Sequence, residues 1–299
     1  MKVQLNHPGR QKHFKVGLGY TVFENAIIRE WNGVVGNKDA GHYRKFIQNQ
    51  GCYVNDLHDI SPKEDDLYFW GEWEGNSFFQ RFPHEPNDPR ILPNGIHRPF
   101  HSIAIRGTQN TDPYIFGDNF KYCICKQKGK LHSLVLDDLI LFGSVYPKLG
   151  KFYIDTVFVV KNNVLSSYIQ ESNGADYSQV YIEETLDQLV EYLSPTTRIS
   201  NNNKIYHSKT WWDDKCYFSF VPCKLSPESI GFERIYIDLN NNGFNFSTNS
   251  TGISFLNRCE LSSHLLWESI VKISIEQGFK LGLKFEEPSV VPPNFQATG

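Results

Sequence analysis

The stretch TDPYIFGDNFKYCICKQ, residues 111–127, gathers most of the side chains in this chain whose types and spacing suit recognition chemistry. Asp112 and Asp118 can accept hydrogen bonds from exocyclic amines, as carboxylates do, and Asn119 offers an amide edge. Tyr114 and Phe116 fall on one side of an extended backbone. Two or three ring walls beside a carboxylate or amide are what it takes to hold a flat heterocycle by its π-face and its edge. Trp70 and Trp73, in LYFWGEWEG (67–75), add two more rings. On a strand, Tyr68 and Trp70 share one face, while Phe69, Gly71 and Trp73 share the other, with a glycine gap between the rings wide enough for a planar group. Trp211 and Trp212 form a further pair. The ligand-binding candidates are therefore Trp70, Trp73, Tyr114, Phe116, Asp118 and Asn119.

Catalytic motifs are scarce. The ten histidines form no metal-protease pair, since His97 and His101 stand four apart but enclose Arg-Pro-Phe without a glutamate, and there is no Gly-x-Ser-x-Gly nucleophile elbow and no Walker-type phosphate loop. Gly17-Leu18-Gly19 lacks the third glycine of a dinucleotide site. GIHRPFH (95–101) sets His97 and His101 around an arginine after a proline-rich segment. With an acid such as Asp112 or Asp118 these histidines make the catalytic pair of an alternative reading, a nucleotide-acting hydrolase or transferase. As ordinary surface polar residues they need no function. A protein-interaction scaffold is the third reading. The six cysteines are scattered, and Cys123-x-Cys125 lacks two further ligands at zinc spacing, so neither a disulfide framework, a metal site nor a cofactor is expected.

The elements that must position these residues read as follows. DAGHYRKFIQNQG (39–51) has the signals of a short helix, with Asp39 as cap and Gly51 as terminator. Residues 84–99 carry prolines and turn residues and read as a long loop. HSIAIRG (101–107) and FKYCICKQ (120–127) alternate. DLILFGS (138–144) and FYIDTVFVV (152–160) are apolar enough for central strands, so 120–160 should supply three adjacent strands. YSQVYIEETLDQLVEYL (177–193) carries a helical apolar stripe. KCYFSFVPC (215–223) and FERIYIDL (232–239) read as strands. In LSSHLLWESIVKISIEQGFKLG, Ser262 or Ser263 caps a helix whose buried face is Leu265, Leu266, Ile270, Val271 and Ile273, with Gly278 as terminator. The tail from Glu286 reads as frayed.

Within this order, LHSLVLDDLILFGS followed by GKFYIDTVFVV sets an acidic tight turn before a buried strand ending in small residues, then a second buried strand with a terminal valine pair. With YFWGEWEG upstream, residues 66–165 resemble the core of the PUA-like superfamily, which includes ASCH, EVE and YTH domains. Asp137-Asp138 stands where the family pattern has Gly-Asp, and Phe142-Gly143-Ser144 departs from the aromatic-serine ending of EVE-type domains. The resemblance implies a β-rich curved sheet or small barrel that binds one modified base or nucleotide in an aromatic pocket, in the setting of nucleic-acid modification or phage defence.

The expected class is α+β: a mixed N-terminal segment (1–65), a PUA-like β-rich domain (66–175), a second helix-and-strand part (176–285) and the tail (286–299). The 299 residues carry 30 basic and 33 acidic side chains, a formal charge of −3, and 40% hydrophobic content. That core capacity excludes disorder as the default, and the charge excludes a protein that holds long nucleic acid by neutralising phosphates. The opening residues lack a signal-peptide core and no window has the length of a membrane span, so a cytoplasmic protein without a membrane partner is expected.

Overall fold

The computed structural model describes residues 1–6, 20–23, 26–29, 44–73, 75, 77–82, 92–93, 95–102, 111–123, 129–165, 177–186, 204–227, 232–240, 243–249 and 252–291. Two sheets organise them in a β-rich α+β fold. The first runs β14 (Gly252–Phe255), β1 (Lys2–Asn6), β9 (Leu139–Tyr146), β10 (Lys151–Leu165), β11 (Lys204–Ser208) and β8 (Lys121–Tyr122), with β13 (Tyr236–Asp238) also paired to β10. The second runs β15 (Lys280–Phe285), β12 (Val221–Lys224), β5 (Lys63–Gly71), β4 (Lys45–Val54), β7 (Gly95–Ser102), β6 (Ser77–Arg81), β3 (Ala26–Arg29) and β2 (Tyr20–Phe23), with β16 (Ser289–Val291) on β7. Because β15 also pairs with β4, strands β15, β12, β5 and β4 close into a four-stranded ring. At that closure a Cβ on Gly51 would lie 2.2 Å from the Lys284 carbonyl oxygen, so only glycine lets the two backbones approach.

Residues 67–71 of β5, 139–145 of β9 and 152–160 of β10 have no solvent face, and their period of two divides the side chains between two cores. On β5, Tyr68 and Trp70 enter one core, and Leu67 and Phe69 enter the other with Trp73 just beyond the strand. On β9, Leu139 and Leu141 take the first core, Ile140 and Phe142 the second. A register shift in β10 between Ile154 and Thr156 reverses the parity: Phe152 and Ile154 share a core with Val157 and Val159, while Phe158 and Val160 turn to the other. Asp155, at this bulge, accepts from Arg44 Nε at 2.8 Å and from Arg234, and Arg44 also pairs with Glu72. This buried network ties β4 to β10 and so joins the two sheets.

The chain differs from the sequence reading in several places. Residues 45–51 form strand rather than helix, because β4 bonds β5 along its length and β15 across Gly51, and that pairing overrides local propensity. Gly95–Ser102 is strand β7, which takes in the end of the expected loop (84–99) and the start of the strand expected from 101, and it buries both His97 and His101. Within 120–160, β9 and β10 are neighbours as expected, but β8 lies beyond β11 in the same sheet. The segment 215–223 is mostly turns before β12, and 232–239 shortens to β13. Only Gln179–Tyr181 (α1) and a π-turn at Ile182–Leu186 stand in the described part of the 177–193 stripe. The C-terminal helix, α2 (Ser263–Glu276), is capped by Ser262, whose hydroxyl accepts from the Leu265 N–H, and Gly278 follows with φ +80°. Its buried face includes Trp267 and Ser274 rather than Leu265, which is 49% exposed. Cys125 and residues 103–110 lie outside the described residues. The expected boundaries at 65, 175 and 285 do not divide the sheets, since β1 pairs with β9 and β14, and β4 with β5 and β15. Among the described residues no helix is long and apolar enough to cross a membrane.

Candidate functional site

A cavity of about 1390 Å³ opens where the ring of the second sheet meets the β8–β11 edge of the first. A hairpin builds its floor. Tyr114 and Lys121 exchange backbone hydrogen bonds (2.8 and 2.7 Å), which puts the turn at Gly117, where φ is +83°. The Gly117 N–H donates to the Phe285 carbonyl (2.8 Å), and the Glu286 N–H donates to Gln50 (2.9 Å). The residues after β15, read from sequence as a frayed tail, are thereby tied into the cavity wall, and β16 continues them along β7.

Glu287 is the anchor of this arrangement. It accepts from the Tyr114 hydroxyl and from Ser178 Oγ (2.9 Å). Burial, and then the Glu287 charge, push the Tyr114 hydroxyl well above its ordinary range, so it remains a donor. Lys121 sits beside it at 8% exposure. Its ammonium reaches the Asn119 carbonyl at 3.2 Å and lies 5.4 Å from the Tyr114 ring centre and 5.1 Å from that of Tyr181. Burial lowers its pKa to about 8, against the opposing pull of Glu287 and Asp118.

His207, on β11, is pushed down to about 4, first by burial and then by the Lys121 and Lys161 charges, so the ring is neutral. The Asn119 amide lies 3.2 Å from its Nδ1, and the Tyr177 hydroxyl 3.0 Å from its Nε2. With the amide donating, the ring proton is on Nε2. At the rim, exposed Asp118 pairs with Lys284 at 2.6 Å, which holds the carboxyl below its ordinary value and raises the lysine. Trp212 stands on the wall at 52% exposure, with its ring edge-on to buried Trp211. The turn that carries Trp212 is closed by Asp213, which accepts from the Thr210 N–H and hydroxyl (both 2.9 Å) and from Lys161 (2.7 Å). Six carboxylates line the cavity, Glu64, Asp65, Asp66, Asp118, Glu286 and Glu287, against two lysines, Lys121 and Lys284. The site therefore favours donors, and a polyphosphate would meet a repelling wall.

The six residues singled out from sequence separate into three groups. Asp118 and Asn119 line the cavity. Tyr114, Phe116 and Trp73 pack edge to face in the second core, with ring centres 5.4 Å apart in each successive pair, and of these Tyr114 extends its hydroxyl to Glu287. Trp70 lies in the first core, away from them. The gap over Gly71 is occupied by the Phe69 ring and the Ile47 side chain. His97 is bonded through Nδ1 to Ser77 Oγ (2.7 Å), His101 is held between Glu184 and Glu183 (2.7 Å each), and Asp112 accepts from the Cys123 N–H (2.9 Å). None of these three lines the cavity.

Lys121, His207, Lys284 and Glu287 escaped the sequence reading. For Lys121 a signal existed: a lysine inside the alternating apolar run FKYCICKQ has to be buried or to mark a site. For Glu287 there was none. No protein-family model, curated protein or solved structure matches the chain.

Proposed function

We propose that the chain recognises a modified base or a small, weakly charged nucleotide in this cavity. The observation that carries the reading is Trp212. Among the five described tryptophans, Trp70, Trp73, Trp211 and Trp267 are buried, and Trp212 alone presents half its surface, on a cavity wall facing polar groups. An exposed indole held by a capped turn is a stacking platform for a flat ring. The Asp118 carboxylate and Asn119 amide supply an edge for exocyclic amines, and Lys121 supplies a donor for a ring carbonyl. The acidic lining selects against phosphate-rich ligands, so affinity comes from the base and varies little with salt.

A β-rich fold with a closed strand ring is compatible with the PUA-like resemblance, although the segments carrying it fall in both sheets: 67–71 in the second, 139–160 in the first. The nucleic-acid modification or phage-defence setting rests on that resemblance alone. The test is a titration of the full chain with modified and unmodified nucleosides and short oligonucleotides at two salt concentrations. Stacking contributes about 1–3 kcal/mol per base, so Trp212→Ala should weaken binding roughly 5- to 150-fold with the fold intact. No binding across the panel, or binding with a steep salt slope that ignores Trp212→Ala, overturns the reading.

A further inference from the structure

The two lysines of the cavity are in opposite states. Lys284 is 40% exposed in its side chain and paired with Asp118. Lys121 is nine-tenths buried, and among the described residues its three N–H donors meet one carbonyl, that of Asn119. Among the described residues no carboxylate lies within ion-pair distance of it, and two tyrosine rings cover its flank. A lysine kept out of water, unpaired and facing a cavity is in the condition that makes an amine a nucleophile rather than a counter-ion.

We propose that Lys121 is a covalent capture site whose amine condenses with the carbonyl carbon of an uncharged, planar aldehyde or ketone to form a Schiff base. The nitrogen lone pair attacks the carbonyl carbon, and the C=O π electrons move to oxygen, which takes up the proton that nitrogen gives up. The carbinolamine then loses its hydroxyl group with the remaining nitrogen proton as water, leaving C=N. One water is released and no oxidant or reductant is consumed. The aromatic wall at Trp212 and the acidic lining favour an aromatic carbonyl compound without negative charge. The lowered pKa of Lys121, about 8, supports the geometry, since roughly a quarter of the amine is unprotonated at pH 7.5. This inference does not rest on the base-recognition reading.

The experiment is reductive trapping on the full chain with benzaldehyde and cyanoborohydride at pH 7.5, followed by peptide mass spectrometry. Relative to an ordinary lysine near 10.5, Lys121 holds roughly 200 times more free amine. If amines follow the Brønsted slope of about 0.4–0.5 known for thiolates, its lower basicity offsets some 10- to 20-fold of this. Lys121 is thus expected to label about ten- to twentyfold faster than exposed lysines such as Lys272, and Lys121→Arg should remove that adduct while leaving the slower ones. Lys284→Arg should leave the Lys121 adduct in place. Labelling that tracks exposure and spares Lys121 overturns the proposal. The nucleoside titration, run in parallel, separates the two readings: a Lys121 adduct with a blank nucleoside panel sinks base recognition only, and nucleoside binding without an adduct sinks covalent capture only.

Discussion

Asp155→Asn is the sharpest test of how the cavity is held together. The cavity draws walls from both sheets, and Asp155 joins them by accepting from Arg44, just ahead of β4, and from Arg234 ahead of β13. All four side chains of the network, Arg44, Glu72, Asp155 and Arg234, are about 1% exposed or less, and their charges balance two against two. The substitution keeps shape and removes one negative charge. It leaves two buried guanidiniums with one carboxylate fewer and turns an amide donor toward another donor. Breaking one partner of a buried pair costs about 3–5 kcal/mol. Two charge-assisted hydrogen bonds at about 1.5–3 kcal/mol each sum to about 3–6 kcal/mol, an overlapping range. Against a total of about 5–15 kcal/mol this is a large fraction. Urea unfolding followed by tryptophan fluorescence measures it, with an unchanged slope showing that the folded and unfolded states remain comparable. The companion variant, Asp155→Leu with Arg234→Met, removes more polar groups yet leaves Arg44 balanced by Glu72, and should be less destabilised than Asp155→Asn alone. A single-variant loss below about 1 kcal/mol, or a double variant worse than the single, would refute the reasoning from charge balance.

Three further outcomes follow from the same geometry. Trp73→Ala, which empties a fully buried site packed on Phe116, should cost about 3–5 kcal/mol in urea unfolding, whereas half-exposed Trp212→Ala should cost far less; equal losses would contradict the assignment of core and wall. Glu287→Gln removes the charge that most opposes the burial-driven drop at Lys121, so the midpoint of the pH–rate profile for Lys121 labelling should move below about 8; an unchanged or higher midpoint counts against the assigned neighbourhood. At His101, burial lowers the pKa, but hydrogen bonds and charges from Glu184 and then Glu183 outweigh it, so the folded value is raised above 6.5. The native state then binds the proton more tightly, and the stabilisation is fully present below about pH 6.5 and lost as pH rises through the folded value. The stability difference between the native chain and His101→Gln, measured from pH 5.5 to 9, should shrink with rising pH, and a difference that grows would show that the sign is wrong.

Local signals in the sequence were enough to identify β9, β10, β5 and α2. Runs such as LILFGSVY are apolar on both faces and can only be central strands, and a serine followed by helical periodicity and a glycine bounds a helix without outside help. The alternation on 67–73 also separated Trp70 from Trp73 onto opposite faces. What those faces meet was undetermined, because both sides of a doubly buried strand look equally apolar, and only the packing sent one ring to each core. The fate of β4 was likewise nonlocal: its helical signals yielded to backbone pairing with β5 and β15, partners about 20 and 230 residues away in sequence. The cavity is the extreme case. Asp118 and Asn119 were legible as turn residues able to hydrogen-bond, but Lys121 became a buried, weakly basic amine only when Tyr114 and Tyr181 covered it, and Glu287 became a structural acid only when β15 brought the tail across the 114–121 hairpin. Residue type and period set which side chains are able to bind; desolvation and proximity, which arise only when distant strands meet, decide which of them do.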